Sequence, residues 1–249
     1  NTGSTVTVHS SLTTLALNMS AAAGTATVNL EGGVTVGTFT DTDTEIATLA
    51  IKSNGSSANT ITSLGDLNGT TAAAVTISGA ADLSVTLGGT DYNDSTFNGA
   101  TATGKLTLNA SAVTTNNVTL TGGKGMDTLT GGEGDDIIKG GESADTLVGG
   151  AGADALDGGT GADTFTVDST DTVTINKGDT GSAAGTMDTI NGITEGFKIK
   201  LAGYTTSLTT DYSLAAAATV GSSATDDTKL EMYLDTANQQ LVIETTADG

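Results

Sequence analysis

The sequence contains no cysteine, no proline and no tryptophan, all eight of its basic residues are lysine, and aromatic residues make up only 3% of the chain. The absence of cysteine excludes disulfide bonds and cysteine catalysis, and it fits either a reducing compartment or an export route that bypasses disulfide formation. The residues that remain are rich in Thr, Ala, Gly, Ser and Val. This composition favours short β-strands joined by Gly, Asn and Asp turns over a conventional enzyme fold.

Positive charge is scarce as well, because 29 acidic residues stand against 8 basic ones and give a formal net charge of -21. A nucleic-acid partner is therefore excluded, since no basic patch is available to neutralise phosphates, and divalent cations are the natural counter-charge. No apolar run approaches the roughly 20 residues of a membrane span, and nothing near the N-terminus resembles a signal peptide. Because the sequence starts at Asn1 without Met, we expect it to be a piece of something longer.

The side chains needed for common hydrolytic sites are also missing. His9 is the single histidine, and neither the HExxH motif of zinc proteases nor the GxSxG motif of serine hydrolases occurs. A Ser-His-Asp triad would have to use His9, which we interpret as a surface or strand residue. We therefore expect that the chain is not an enzyme and has no catalytic residues.

Residues 1–121 show apolar side chains at alternate positions between Gly, Asn and Ser turns, which is the pattern of half-buried strands. The strands are short, numerous and poor in aromatics, so we predict the coils of a β-solenoid, with a β-sandwich as the alternative. Residues 11–24, SLTTLALNMSAAAG, also allow a short helix. The predicted inward pairs are Val6 and Val8, Val28 and Leu30, Val34 and Val36, Val75 and Ile77, Val85 and Leu87, Leu106 and Leu108, and Val118 and Leu120.

Residues 122–166 repeat with a period of nine: GGKGMDTLT, GGEGDDIIK, GGESADTLV, GGAGADALD and GGTGADTFT. Glycine occupies positions one and two of every unit, aspartate position six and a large apolar residue position eight. A single acidic glycine-rich unit is often a disordered linker. Five units in register instead predict a repeat architecture.

The glycines allow a tight turn, and the next three residues form a short strand with one side chain facing a core. Two such units make one coil, so we expect residues two repeat periods apart to stack about 4.8 Å apart. This places Asp127, Asp145 and Asp163 on one edge, and Asp136 and Asp154 on the other. The expected core is thin, with Leu129, Leu147 and Phe165 on one wall facing Ile138 and Leu156.

Stacked carboxylates repel one another by about 1 kcal/mol in water and by several times more at lower dielectric. We therefore expect that residues 122–166 fold only with a cation. Carboxylate and carbonyl oxygens in sets of six or more are typical of Ca²⁺, whereas Mg²⁺ demands tighter octahedral geometry. The sequence predicts Ca²⁺ as the cofactor, in a structural role.

The nonapeptide GGxGxDxUx resembles the repeat of the RTX family, and residues 122–166 follow it closely. The resemblance implies a right-handed parallel β-roll in which each Ca²⁺ lies between turns one coil apart. The earlier turn lends the carbonyls of positions two and four and its Asp, and the later turn those of positions one and three and its Asp. The implied sites are Gly123, Gly125 and Asp127 with Gly140, Glu142 and Asp145; Gly132, Gly134 and Asp136 with Gly149, Ala151 and Asp154; and Gly141, Ser143 and Asp145 with Gly158, Thr160 and Asp163.

Two positions depart from the regular pattern. Ser143 replaces the fourth glycine, so the third site requires a non-glycine residue in left-handed geometry. Asn109 lies two repeat periods before Asp127, which suggests a degraded coil upstream.

Residues 167–249 are predicted to cap the roll and to carry a secretion signal. The segment 187–204 resembles the one that follows RTX repeats in proteins exported by type I secretion, with Asp188 as a ligand to a terminal Ca²⁺. Ile190, Ile193, Phe197 and Ile199 are its expected core, and an ordinary amphipathic hairpin is the alternative. Residues 230–249 are predicted to form a terminal hairpin with its turn at DTANQQ.

The resemblance extends to the surface-layer (S-layer) proteins of Gram-negative bacteria, which share this acidic, Thr-rich and Cys-free composition. It implies an extracellular, cell-surface subunit that self-associates in a Ca²⁺-dependent lattice, with cell-surface polysaccharide contacted through an upstream region. The alternative is the C-terminal secretion and folding module of a large adhesin or secreted enzyme.

Overall fold

The computed structural model describes residues 4–17, 24–41, 46–65, 67, 72–89, 92, 94–176, 179, 188–194, 196–202, 230–235 and 240–245. Within these residues the chain is all strand and turn. The strands in chain order are β1 Ser4–Val8, β2 Leu12–Leu17, β3 Gly24–Glu31, β4 Thr35–Asp41, β5 Ile46–Asn54, β6 Asn59–Leu64, β7 Ala74–Gly79, β8 Leu83–Leu87, β9 Thr96–Ala102, β10 Leu106–Asn109, β11 Thr119–Thr121, β12 Thr128–Thr130, β13 Ile137–Glu142, β14 Thr146–Val148, β15 Ala155–Thr160, β16 Thr164–Thr166, β17 Thr172–Asn176, β18 Asp188–Asn191, β19 Lys198–Ala202, β20 Leu230–Asp235 and β21 Gln240–Thr245.

The strands alternate between two sheets, as expected for a solenoid. The first sheet has the order β1-β3-β5-β7-β9-β11-β13-β15-β17-β19, and the second β2-β4-β6-β8-β10-β12-β14-β16-β18-β21-β20. All pairs are parallel except β18 with β21 and β20 with β21. The predicted parallel β-solenoid is confirmed, and the sandwich alternative is wrong.

One continuous apolar core lies between the two sheets. Every predicted inward residue from Val8 to Leu120 is buried, and Val6 packs partly buried against the core. The core narrows in the repeats, where each strand contributes the one side chain predicted for it: Leu129, Ile138, Leu147, Leu156 and Phe165, all fully buried. By contrast β8 alone buries Leu83, Val85 and Leu87.

The length of a coil changes along the solenoid. Leu49 pairs with Val75, 26 positions on, and Val85 with Leu108, 23 positions on. In the repeats, Leu129 pairs with Leu147 and Ile138 with Leu156, both 18 positions on. The short coil follows from turns that glycine makes tight enough to join three-residue strands.

Two alternative readings and one assignment by spacing were wrong. Residues 12–17 form strand β2 and not a helix, because Leu15 and Leu17 pair with β4; residues 18–23 lie outside the described residues. Asn109 pairs with Thr130 and not with Asp127, because the coil there is longer than a coil of the repeats. The hairpin alternative for 187–204 fails because β18 and β19 belong to different sheets.

The C-terminal end closes the second sheet. Strands β20 and β21 pair antiparallel, as predicted for a terminal hairpin, and β21 pairs with β18. Residues 236–239 of the predicted turn lie outside the described residues. Of the predicted capping residues, Ile190 is buried, and Ile193, Phe197 and Ile199 pack partly buried against the core. Among the described residues, no helix is long and apolar enough to cross a membrane.

Candidate metal centre

The first glycine of each of the first three repeats lies beside two oxygen atoms, a carbonyl of the next coil and a carboxylate. At Gly122, the main-chain oxygen of Gly140 from the next coil and Oδ2 of Asp127 both lie so close that a Cβ would overlap them. Gly131 has the same contacts with Gly149 and Asp136, and Gly140 has them with Gly158 and Asp145. The carbonyls of position one therefore point back towards the preceding coil and reach the carboxylates, as predicted for the later turn of each site.

The second and fourth positions show the complementary arrangement. Gly141, with φ +122°, lies directly against the main-chain oxygen of Gly123, one coil earlier. The same contact brings Gly150 to Gly132, Gly159 to Gly141, Gly152 to Gly134 and Gly161 to Ser143. The carbonyls of Gly123, Gly132, Gly134, Gly141 and Ser143 thus point forward into the space between coils, where the earlier turn was predicted to lend them.

The aspartates at position six form two hydrogen-bonded columns. On one edge, the N–H of Asp127 donates to Oδ1 of Asp145 at 2.7 Å, and that of Asp145 donates to Oδ1 of Asp163 at 2.8 Å. On the other edge, the N–H of Asp136 donates to Oδ1 of Asp154 at 2.8 Å. One oxygen of each carboxylate therefore joins its coil to the preceding coil.

The second carboxylate oxygens differ between the early and the late turns. Oδ2 of Asp127 accepts from the N–H of Gly123 at 2.5 Å, and Oδ2 of Asp136 accepts from that of Gly132 at 2.6 Å. Oδ2 of Asp145, Asp154 and Asp163 is buried and accepts no hydrogen bond from any described residue. Because these residues are at most 2% exposed, water cannot readily solvate the three oxygens. A buried, unpaired carboxylate oxygen is costly unless a cation occupies the space beside it.

The protein environment alone raises the pKa of the carboxyl groups in these columns. Burial, together with repulsion from Asp127 and Asp163, raises the pKa of Asp145 to about 8. Burial and nearby aspartates also raise the pKa of Asp154 to about 7 and that of Asp163 to about 6. Burial raises the pKa of Asp127 and Asp136 as well. Carboxylates in this state would be ionised at neutral pH by a bound cation.

The geometry brings together most of the predicted ligands. The structure places the three Asp pairs, the position-one carbonyls of Gly140, Gly149 and Gly158, and the forward-pointing carbonyls named above around the spaces between coils. Of the remaining predicted ligands, Glu142 lies opposite Thr160, and the N–H of Ala151 donates to the carbonyl of Gly132, one coil earlier. Gly125 lies against Gly104 of the preceding coil. The Glu142 side chain points outward to Lys124 at 2.5 Å, so Glu142 can contribute only its main chain. The ligand roles themselves stay predictions.

Side chains alone do not make a metal site here. Within the described part of the chain, no group of three or more His, Cys, Asp or Glu side chains is placed to hold a metal ion. A site between coils must therefore draw on main-chain carbonyls, as predicted. Gly123 and Gly132 accept N–H groups of Glu142 and Ala151 at 2.9 Å, and each carbonyl keeps a second lone pair. An all-oxygen set of carboxylates and carbonyls fits Ca²⁺.

Ser143 adopts the left-handed conformation that its position requires, with φ 83°. Its hydroxyl donates to the main-chain oxygen of Lys124 at 2.8 Å, which offsets part of the conformational cost. The third predicted site therefore keeps the turn geometry of a glycine.

The aspartate columns extend beyond the repeats. The N–H of Asp163 donates to Oδ1 of Asp188 at 2.9 Å, so Asp188 lies at the end of one column, where it was predicted as a terminal ligand. The N–H of Asp154 donates to Oδ1 of Asp171 at 3.0 Å. The sequence analysis missed Asp171, because it follows Asp154 at a spacing just short of two repeat periods. The alternating strand TVTIN directly after Asp171 could have indicated that Asp171 ends a turn of the roll.

Comparison with known proteins agrees with this geometry. The family model of the RTX calcium-binding nonapeptide repeat matches residues 119–146 and 130–165. No curated protein and no solved structure matches the chain. The match covers the five turns whose carboxylates and carbonyls face one another. Residues 119–165 of this chain are RTX calcium-binding nonapeptide repeats.

Proposed function

We propose that this chain is a secreted structural protein whose repeat coils fold when they bind Ca²⁺. The observation that carries the proposal is the set of buried carboxylate oxygens of Asp145, Asp154 and Asp163, which lack hydrogen-bond donors among the described residues. Oδ2 of Asp145 lies beside the main-chain oxygen of Gly158 in the next coil, and Oδ2 of Asp154 lies beside Oδ2 of Asp171. A Ca²⁺ ion between two coils would neutralise the carboxylates and bind the carbonyls with one set of contacts.

Ca²⁺ binding and folding would then be the same event. The two turns that form a site are distant from each other in an extended chain, so the site exists only after the coil has closed. The free energy of binding then stabilises the folded state directly. The thin core of the repeats, with one large apolar side chain per strand, supplies little competing stability.

This coupling fits type I secretion, which the RTX match supports. Cytosol is poor in Ca²⁺, so the repeats would stay unfolded before export and fold outside the cell. Stabilisation follows the concentration of free ligand relative to its Kd, so folding is favoured only on the Ca²⁺-rich side. The extracellular location is part of this proposal.

Within that class, we propose the role of a surface-layer subunit that self-associates on the cell surface. The acidic, Cys-free, Thr-rich composition supports it, together with a solenoid that continues without a break into the repeats. No catalytic role is proposed. A secretion and folding module of a larger adhesin or enzyme is the second candidate, because terminal RTX repeats would serve it equally well.

A Ca²⁺ titration tests both the Ca²⁺-dependent folding and the self-association. Far-UV circular dichroism reports folding, light scattering reports assembly, and Mg²⁺ serves as the control. We expect β-structure to increase with Ca²⁺, to be lost with chelator and to change little with Mg²⁺. Ordered assemblies that appear with Ca²⁺ support the surface-layer role, and a folded monomer at all concentrations supports the secretion module. If Ca²⁺ changes neither signal, the proposal is wrong.

A further inference from the structure

The turn after the last repeat coil keeps the carboxylate column without keeping the repeat sequence. Residues 167–171 read VDSTD, with none of the GGxG glycines. Asp171 is nevertheless fully buried at the end of the column. Its Oδ1 accepts from the N–H of Asp154 at 3.0 Å, and its Oδ2 accepts from that of Asp168 at 2.8 Å. The bond from Asp168 matches the bond that Gly123 makes to Asp127.

The contacts of Gly149 show what differs at this level of the column. A Cβ built on Gly149 would lie 2.5 Å from Oδ2 of Asp154 and 3.0 Å from Oδ2 of Asp171. At Gly122, Gly131 and Gly140, the second oxygen is instead a carbonyl of the next coil. A carboxylate oxygen therefore replaces a neutral carbonyl oxygen. The Oδ2 of Asp154 that faces it is buried and accepts no hydrogen bond from the described residues.

We propose that Asp154 and Asp171 hold a further Ca²⁺ between turn 149–154 of the fourth repeat and turn 167–171, which lies outside the nonapeptide repeats. This inference rests on the proposed function, because it extends the same type of site by one coil. The hydroxyl of Thr170 donates to the main-chain oxygen of Gly152 and so uses one lone pair of that carbonyl. The site therefore depends on its two carboxylates more than the sites between repeats do.

Native mass spectrometry of the Ca²⁺-loaded full chain tests the site by counting bound ions. We expect Asp171→Asn and Asp171→Ser each to bind one ion fewer than the unmodified chain, with unchanged far-UV circular dichroism. Asp168→Asn removes the same charge three residues away, where the side chain only caps Thr170. This control should bind the full number.

An unchanged ion count in either Asp171 variant would overturn the inference. Loss of several ions together would also overturn it, because Asp171 would then be a structural cap of the whole roll. An unmodified chain that binds no Ca²⁺ would instead contradict the proposed function itself.

A separate observation concerns the outer surface of the second sheet. Two columns of outward residues run along it: Thr35, Thr60, Ser84, Thr107, Thr128, Thr146, Thr164 and Thr189, and beside them Thr86, Asn109, Thr130, Val148, Thr166 and Asn191. None is charged, in a chain with net charge -21. The equivalent columns of the first sheet contain Lys139, Asp157, Lys198 and Lys200.

We propose that this uncharged surface is where a second copy of the chain packs. Two copies, each strongly negative, repel at most surfaces, and repulsion between like charges is smallest where neither copy has charges. Eight strands about 4.8 Å apart make a surface about 35 Å long. A strip roughly 15 Å wide would bury about 500 Å² on each copy, which is at the low end for specific contacts and suits an assembly built from repeated contacts.

Sedimentation velocity in Ca²⁺ tests the surface with matched double variants. Thr128→Glu with Thr164→Glu adds two charges to the second sheet, and Thr119→Glu with Thr172→Glu adds two to the first. We expect the first pair to abolish assembly at concentrations at which the unmodified chain and the second pair assemble. Assembly that survives in the first pair, or is lost equally in both pairs, would overturn this inference. A monomeric unmodified chain would contradict both it and the surface-layer role.

Discussion

The early coils and the repeat coils of this solenoid use the same hydrogen bond at the same position. In the early part, Oδ1 of Asn59 accepts from the N–H of Val34, one coil earlier, at 2.8 Å. In the repeats, Oδ1 of Asp145 accepts from the N–H of Asp127 at 2.7 Å. Asn59 lies in line with the column that contains Asp127. It pairs with Leu83, and Leu83 pairs with Leu106 in the next coil. The N–H of Leu106 in turn donates to Asp127.

The two regions differ in the second polar atom of the side chain. Nδ2 of Asn59 donates to Oγ of Ser53 at 2.9 Å and to the main-chain oxygen of Asn54 at 3.1 Å. Ser95 does the same in the other column, because its hydroxyl accepts from the N–H of Ala73 and donates to the main-chain oxygen of Tyr92. Oδ2 of Asp145 has no donor among the described residues. In the early coils the second polar function is a neutral N–H or O–H donor, whereas in the repeats it is a carboxylate oxygen that we propose a cation binds.

One solenoid thus contains repeat coils that we expect to need Ca²⁺ and early coils that we expect to fold without it. The early coils are longer, strands such as β5 and β8 bury three apolar side chains each, and the side chains of Asn59 and Ser95 find neutral partners within the fold. The repeat coils bury one large side chain per strand and gather carboxylates. We therefore expect the stability of the repeats to depend on the ion, and the dependence to be confined to one stretch of a continuous solenoid.

Asp145→Asn should have the largest effect, because Asp145 contributes to two predicted sites. The amide keeps the acceptor for the N–H of Asp127 but removes a charged ligand. We expect the Ca²⁺ concentration at the midpoint of folding to rise by about 10- to 100-fold, measured by circular dichroism. Asp135→Asn, an exposed neighbour in the repeats, should shift the midpoint by less than about 2-fold. Equal midpoints for both variants would remove the distinction between column and surface aspartates.

The pH dependence should have opposite signs with and without Ca²⁺. In chelator, the folded repeats hold protons on Asp145, Asp154 and Asp163 that the unfolded chain releases above about pH 4, because the folded pKa values are raised to about 8, 7 and 6. The stability is present below pH 4 and is lost as the pH rises to 8, at about 1.4 kcal/mol per pH unit for each proton involved. In saturating Ca²⁺, stability should rise over the same range, because protons compete with the ion. Circular dichroism of the repeats in chelator and denaturant titrations in Ca²⁺, each at pH 5 and pH 8, measure the two trends, and trends of the same sign would show that protons and Ca²⁺ do not compete for these carboxyl groups.

Asn59→Asp would place a carboxylate in an early coil, at the position of a repeat aspartate, without the carbonyls of a predicted Ca²⁺ site. The new carboxylate would face the oxygens that Nδ2 now contacts, so we expect a loss of about 3 kcal/mol at pH 7. Thermal unfolding measures it, with Asn59→Ser as the neutral control that keeps a hydroxyl, as Ser95 does. A full return of stability at pH 4 is expected. A variant as stable as the original at pH 7 would show that this position tolerates charge without an ion.

Gly141→Ala tests the close stacking of the turns. Its Cβ would overlap the main-chain oxygen of Gly123, and its φ of +122° disfavours any side chain. We expect a loss of about 2–3 kcal/mol from folding in Ca²⁺. Gly32→Ala is the matched control, since its φ of +79° is also positive but no atom lies within 4 Å, and it should cost about 1 kcal/mol. Equal losses would mean that backbone conformation alone matters.

The sequence predicted the solenoid, the two walls of the core and both aspartate columns because all of them follow from strict spacing. Period two placed the early inward residues, and period nine placed Asp127 to Asp163. The same reasoning failed where spacing changes. Asn109 was assigned with the coil length of the repeats, although its own coil is longer, and Asp171 was missed because its spacing falls just short of two repeat periods.

That Asn59 and Ser95 are the neutral counterparts of the column aspartates could not be predicted from the sequence, for a different reason. The early coils differ in length, as the pairs Ser4 with Ala26 and Leu49 with Val75 show, and their turns share no motif, so no register could be assigned. Which residue lies opposite Asp127 three coils earlier follows only from the strand pairing. The repeats are regular because every turn must present the same oxygens, whereas neutral donors can be supplied by different residues in each coil.

Hydrogen exchange with mass spectrometry, in chelator and in Ca²⁺, tests whether Ca²⁺ stabilises the repeats alone, because it measures both regions in one sample. We expect the main-chain amides of strands β3 to β8 to stay protected in both conditions. Those of residues 122–166 should exchange rapidly in chelator and become protected in Ca²⁺. Equal protection of the repeats in both conditions would contradict the claim, as would loss of protection along the whole solenoid when Ca²⁺ is removed.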